Sequence, residues 1–335
     1  MMVVRPEIFI PPDHLLSHSA ESYRRSFIAA AANVYARKDT AGVLQHKFRI
    51  PDTAGLDIAN YVQSAAELTV QNHLFHARGV TALEFDKKVH PPKDVEAYFH
   101  VNGTHISLEV KCAVEEAPPP NNFVFQTAGR IPNHQRLLGG VRDALRATDG
   151  CPDITIQQNK DNTMGGFLTG AHEKFSPASS VGDLNILFVA CGDAGNMNSW
   201  YGYLAGDGGL FTPHSFIDPI KFELVDVVIL SNLKYFHQRG QQWHDWTLRD
   251  VLMLPVLNPK GRKSRIGSSI IKGLGAFDHQ LRRFGSYAKN VGPNFPSNIG
   301  HALKVMYFVM EELTHEERTR YFPATQWSAA VGSNP

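Results

Sequence analysis

The chain has 335 residues, 43% of them hydrophobic and 19% charged, enough for one large or two modest domains with a real core. A formal net charge of +1 excludes a uniformly basic nucleic-acid coat, so any nucleic-acid surface is expected to be local. Three scattered cysteines, Cys112, Cys151 and Cys191, exclude a disulfide framework, lack zinc-ligand spacing and suggest a reducing compartment.

The N-terminal MMVVRPEIFIPPDH lacks the charged-then-apolar order of a signal peptide. No segment approaches the roughly 18 apolar residues of a membrane span, so a cytoplasmic protein without a membrane partner is expected. Residues 1–15 read as an extended arm with Pro6, Pro11 and Pro12, followed by a helix from Ser19 to Lys38 whose apolar stripe is Tyr23, Phe27, Ala30, Ala31 and Val34. Residues 39–56 are mixed, with Pro51 and Gly55 as breakers. A second helix, Asp57 to Ala77, carries Ile58, Tyr61, Val62, Ala65, Leu68 and Phe75 on one face and Gln63, Glu67 and Gln71 on another.

Three strands follow, at 80–89, 94–101 and 105–114. In the second, Val95, Ala97, Phe99 and Val101 share a face, and Asn102-Gly103 is a two-residue hairpin turn. In the third, Ile106, Leu108, Val110 and Cys112 form the apolar face, while Glu109 and Lys111 share the polar one, roughly 7 Å apart along the strand. The hairpin brings Asp94, or Glu96 on the same face, near Glu109 or Lys111, depending on register. Two carboxylates on one polar face make a hard oxygen site suited to Mg²⁺ or Mn²⁺. A lysine beside them is placed to serve an attacking water or a developing negative charge.

The segment at 118–122, PPPNN, marks an irregular connection before a helix at 133–147. Residues 148–182 are polar and turn-rich and read as a loop over a cleft. Leu184 to Ala190 and Val225 to Leu230 are apolar throughout, as strands buried on both faces are. The glycine-rich stretch between them, Gly192 to Gly209, reads as a cluster of turns. It is no phosphate-binding Walker loop, since no Gly-Lys-Ser/Thr follows. From Asn258 to Asn290, eight basic residues oppose the single acid Asp278, leaving the rest of the chain net acidic. Lys260, Arg262, Lys263, Arg265, Lys272, Arg282 and Arg283 are the candidate phosphate contacts there. Phe277, Phe284 and Tyr287 are read as core rather than base-stacking residues. A last helix, 297–312, reads as a packing helix.

The order of helix, three strands, helix and further strand, with Asp94 at the start of the second strand and Glu109-Val110-Lys111 in the third, resembles the PD-(D/E)xK nuclease superfamily. Pro91-Pro92-Lys93-Asp94 stands where that family has Pro-Asp, with the proline displaced. The resemblance covers about residues 55–235. It implies an α/β, restriction-endonuclease-like core with a central mixed sheet flanked by helices, an N-terminal region over 1–54, and a helical basic region over 236–335 packed on the core. It also implies a metal held by Asp94, Glu109 and the Val110 carbonyl, with Lys111 and Glu67 completing the catalytic set. Gln126, or Gln135, would fill the glutamine position some members carry. The expected activity is metal-dependent hydrolysis of phosphodiesters, in DNA before RNA, in restriction or defence, with an antibacterial DNase toxin or a catalytically silent nucleic-acid-binding module as alternatives. A homodimer would serve double-strand cleavage.

Overall fold

A computed structural model describes residues 8–36, 39–113, 123–126, 139–140, 143–144, 154–157, 160–176, 183–192, 194–205, 209–238, 245–249, 251, 253–261 and 277. It is an α/β protein built on a six-stranded mixed sheet flanked by helices.

Three N-terminal helices come first. Helix α1, Glu21–Tyr35, is shorter at both ends than its sequence pattern suggests and buries Tyr23, Phe27, Ala30, Ala31 and Val34. Residues 39–56, expected to be mixed, contain helix α2, Thr40–Phe48. Asp39 caps it by accepting from the Gly42 N–H at 3.1 Å, and Leu44 and Phe48, one turn apart, are buried. Both breakers lie beyond its end. Helix α3, Ile58–His76, is capped by Asp57, which accepts from the N–H groups of Ala59 and Asn60. Its ends differ from the expected stripe, because Ile58 and Phe75 are exposed. The helices meet around Trp246, whose ring centroid lies 5.0 Å from that of Tyr23 and 5.1 Å from that of Phe27. A buried polar link adds direction to this packing: His237 bonds the Tyr23 hydroxyl at 2.7 Å through Nδ1 and the Thr69 hydroxyl at 3.0 Å through Nε2.

The sheet begins as a meander of β1, Val80–His90, β2, Lys93–Val101, and β3, Thr104–Cys112, all antiparallel. Asn102 and Gly103 have φ of 51° and 80°, the paired positive values that a tight hairpin turn requires. Strands β4, Phe123–Gln126, and β5, Ile154–Gln157, form a separate parallel pair, which takes Gln126 out of the main sheet. Helix α4, Lys160–Lys174, leads to β6, Leu184–Ala190, which pairs parallel with β3. Helix α5, Ala194–Ala205, precedes β7, Val227–Ser231, parallel to β6. Helix α6, Leu233–Gln238, and the antiparallel strand β8, Met253–Leu257, follow. The order across the sheet is β1-β2-β3-β6-β7-β8. Strands β6 and β7 are buried at every position, as their unbroken apolar sequences require. Strand β1 is irregular: Ala82 and Asp86 have positive φ, and its register against β2 shifts twice. Strand β8 carries Pro255 opposite Ile229.

Two segments read as turns are helical. In α4, Met164, Leu168 and Ala171 are buried at helical spacing and continue to Phe175, but three interleaved glycines obscure the period. In α5, burial of Met197, Trp200 and Leu204 offsets the low helix propensity of Gly202. The helix expected over 133–147 is described only at residues 139, 140, 143 and 144, which are helical. Arg262, Lys263, Arg265, Lys272, Arg282, Arg283, Gln135, Cys151 and the 297–312 segment lie outside the described residues. Phe277 is buried, stacked on His73 and tilted against Phe188, each at 6.3 Å, so it is a core residue. No described helix is long and apolar enough to cross a membrane.

Candidate active site

The site forms where β2 and β3 part. Their paired register runs from Val101↔Thr104 to Ala97↔Leu108 and ends there. Continued by one residue on each strand, it would set Glu96 against Glu109; two further, it would set Asp94 against Lys111. All four would lie on one sheet face. Helix α3 supplies hydrogen bonds beyond the last strand pair. The Gln63 side chain donates to the Val110 carbonyl at 3.1 Å and accepts from the Cys112 N–H at 2.6 Å. The same amide nitrogen donates to Glu67 Oε1 at 2.7 Å, and Gln71 donates to the Glu96 carbonyl at 3.1 Å. This is why the polar stripe of α3, which an isolated amphipathic helix would turn to water, is turned to the strands. Glu67 and Gln71 are buried.

Gln63 therefore acts as a clamp on the half of β3 that carries Glu109 and Lys111. Gln63→Ala is expected to destabilise the fold by about 2 kcal/mol, because the Cys112 N–H is left without an acceptor in a part-buried position. It should also speed hydrogen exchange at Cys112. Denaturant unfolding and amide exchange would check this; unchanged exchange at Cys112 would eliminate the clamp.

Glu109 is 0% exposed and meets two lysines. Its Oε1 lies 2.7 Å from the Lys111 ammonium and 2.8 Å from that of Lys174, the last residue of α4, while Oε2 accepts from Lys174 at 2.9 Å. Both ammoniums are within ion-pair distance of Oε1. Across the parting, Lys47 of α2 donates to Glu67 Oε2 at 2.6 Å and lies 3.7 Å from Glu96 Oε2. Glu96 Oε2 and Gln71 Oε1 are buried without a hydrogen-bond donor.

This crowding changes proton affinities. Burial, with the Glu67 carboxylate next in weight and Glu109 and Asp86 adding to it, pushes the Glu96 carboxyl up to about 8 against the pull of Lys47. Burial disfavours charge on Lys47, but Glu67 and Glu96 outweigh it and hold the ammonium well above its ordinary range. Lys174 behaves likewise: burial opposes its charge, and Glu109 more than restores it, with smaller help from Glu96 and Asp94. Burial pushes the Cys112 thiol up to about 12, which leaves it protonated at neutral pH.

Glu67, Glu109 and Lys111 are thus brought together as the sequence implied. Asp94 is exposed at the rim, and the carboxylate between Glu67 and Glu109 is that of Glu96, which ranks second to Asp94 on sequence grounds. Lys47 and Lys174 were not anticipated. Their only local signal is a lysine near the end of a helix, which is also the commonest place for a solvated one. Lys260 is exposed after β8.

Do these groups suit a divalent metal? The donors are hard carboxylate oxygens, and Glu96 Oε2 is buried without a hydrogen-bond donor, with the Lys47 ammonium 3.7 Å away. The Val110 carbonyl keeps a second lone pair beside its bond from Gln63. The set fits Mg²⁺ or Mn²⁺, although no three acidic, histidine or cysteine side chains among the described residues already stand as a complete ligand group. No protein-family model, curated protein or solved structure matches the chain.

Proposed function

We propose that the protein is a metal-dependent nuclease that hydrolyses phosphodiester bonds, in DNA before RNA. The observation that carries this reading is the buried Glu109 with Lys111 beside it on one strand face, set opposite Glu67 and Glu96 where β2 and β3 part. The order α3, antiparallel β1-β2-β3, α4, parallel β6 supports a PD-(D/E)xK-like, restriction-endonuclease-like core.

Glu109 and either Asp94 or Glu96 would hold Mg²⁺ or Mn²⁺, with the Val110 carbonyl and Glu67 assisting. Bound there, the ion supplies positive charge to a phosphoryl oxygen and acidifies a water. Lys111, an ammonium paired with Glu109, would hold that water and face the charge that builds on phosphorus. The water oxygen would form the new bond to phosphorus and give its proton to solvent, one ester P–O bond would break, and the leaving oxygen would take a proton. Lys260 and the basic residues that follow it, Arg262, Lys263, Arg265, Lys272, Arg282 and Arg283, would grip phosphates without regard to sequence. Restriction or defence against foreign DNA is the context preferred, by analogy of fold; an antibacterial toxin uses the same chemistry.

A catalytically silent nucleic-acid-binding module is the second reading. The exposed place of Asp94 and the double lysine contact on Glu109 favour it. Cleavage separates the two. Linear, circular and single-stranded DNA, and RNA, would be incubated with wild type and Lys111→Ala in Mg²⁺, Mn²⁺ or EDTA. Metal-dependent cleavage that falls at least about 100-fold in the variant supports the nuclease. A folded, metal-loaded wild type that binds DNA but leaves every substrate intact supports the silent module.

A further inference from the structure

Lys174 is a second lysine on the carboxylate that the nuclease reading assigns to the metal, and it reaches both oxygens of that carboxylate. Lys111 differs from it in origin and in reach. Lys111 sits two residues along the same strand, and its ion pair is with Oε1. Lys174 arrives from another element, at the C-terminal end of a helix. Glu109 itself has no exposure to solvent, so a cation that binds it must take a position now held by an ammonium.

The carboxyl groups around the parting each have an ammonium near them before any further cation is added. Glu67, Glu96 and Glu109 face Lys47, Lys111 and Lys174. A divalent ion added to that set meets two positive charges within 3 Å of Glu109 Oε1 and is repelled unless one leaves. We propose that Lys174 is a built-in competitor for the metal: it holds Glu109 as a counter-ion and must let go before a divalent cation can bind there. This rests on the metal-site reading above and adds the control of that site.

Lys174 is the lysine suited to leave. Both lysines keep part of the side chain exposed, 28% for Lys111 and 22% for Lys174, but only Lys174 stands at the carbonyl end of a helix, which offers a released ammonium a favourable field. The backbone it hangs from is fastened. The neighbouring Glu173 pairs with Lys93, and its carbonyl lies 3.0 Å from His90 Nδ1, which ties the end of α4 to the turn between β1 and β2. Release is then a side-chain rotation with the helix left in place. The ammonium gives up a strong partner, so metal affinity is lower than the carboxylates alone would provide.

The test is Mn²⁺ binding by calorimetry to the full chain without nucleic acid, which needs no activity. Lys174→Gln is expected to bind Mn²⁺ about tenfold more tightly than wild type. Lys174→Arg, which keeps the charge, should bind as wild type does. Mn²⁺ should also raise the melting temperature of Lys174→Gln more than that of wild type, a readout that works even if the variant is less stable without metal. Equal or weaker binding by Lys174→Gln overturns the proposal, as does tightening by Lys174→Arg to the same degree. Glu109→Gln is the control for the underlying reading: if it binds Mn²⁺ as wild type does, Glu109 is no metal ligand and both readings fall, whereas loss of binding in Glu109→Gln with no gain in Lys174→Gln removes the competitor alone.

Discussion

Glu109→Gln is expected to lower metal-dependent cleavage by at least about 1,000-fold and to destabilise the fold by about 3 kcal/mol. Both effects have one origin. The carboxylate is the buried charge to which Lys111 and Lys174 are both directed, and in the proposed function it is also a metal ligand. A neutral amide of the same shape gives up the metal and leaves two ammoniums near one another with no counter-charge. Breaking a buried pair costs more than the pair contributes, because the abandoned partner stays desolvated. Here the lysines retain 28% and 22% exposure, so water recovers part of the loss and holds the cost to about 3 kcal/mol. Denaturant midpoints and cleavage rates on the same preparations would check the pair of effects. Cleavage within tenfold of wild type would remove Glu109 from the chemistry, and an unchanged midpoint would remove it from the stabilising ion pairs.

Glu96→Gln is expected to act in the opposite direction on stability, and only over a defined pH range. In the unfolded chain Glu96 loses its proton near the ordinary glutamate value of 4.5; in the folded protein, burial and the neighbouring Glu67 carboxylate delay that loss to about pH 8. Between those values the unfolded state sheds a proton that the folded state keeps, so wild type loses stability as pH rises from 4.5 to 8 and loses no more above it. Glutamine has no proton to lose. In EDTA the variant should therefore match wild type near pH 4.5 and exceed it at pH 8 by at least about 1.4 kcal/mol, the equivalent of one pKa unit. The attraction to Lys47 that disappears with the charge acts over 3.7 Å and does not reverse the sign. Melting curves over that pH range decide the matter: a gap that stays constant with pH would mean that Glu96 is already ionised in the fold. The wild-type carboxylate is thus retained at a cost in stability, as expected of a group kept for function.

Local sequence carried the meander and the parallel centre well. The Asn102-Gly103 turn, the alternation in β2 and β3 and the apolar runs of β6 and β7 each specify their own element, and Glu109 and Lys111 fall on one face by strand period alone. Helices α4 and α5 were missed because glycines and polar residues fill their outer faces, while the buried positions that drive them, Met164, Leu168 and Trp200 among them, are thinly spread. The site was half legible. That Glu96 rather than Asp94 lies between Glu67 and Glu109 follows from where β2 leaves β3, and that point is set by Gln63 and Gln71 reaching in from α3. Lys47 and Lys174 are brought in by tertiary packing of α2 and α4, and no spacing in the chain announces them.

The irregularities of the outermost strands bear on how two copies of this chain could meet. Strand β1 is long and lies at one border of the sheet, a natural template for another strand. Its positive-φ residues Ala82 and Asp86, its two register shifts and its charged Glu84, Lys87 and Lys88 interrupt the flat row of amides that such an addition needs. At the far border, β8 is short and Pro255 removes one of its donors. Neither border of the main sheet favours a continuous intermolecular sheet. Two copies of the chain would then meet elsewhere than at these two strand borders, leaving the parting of β2 and β3 in each copy uncovered.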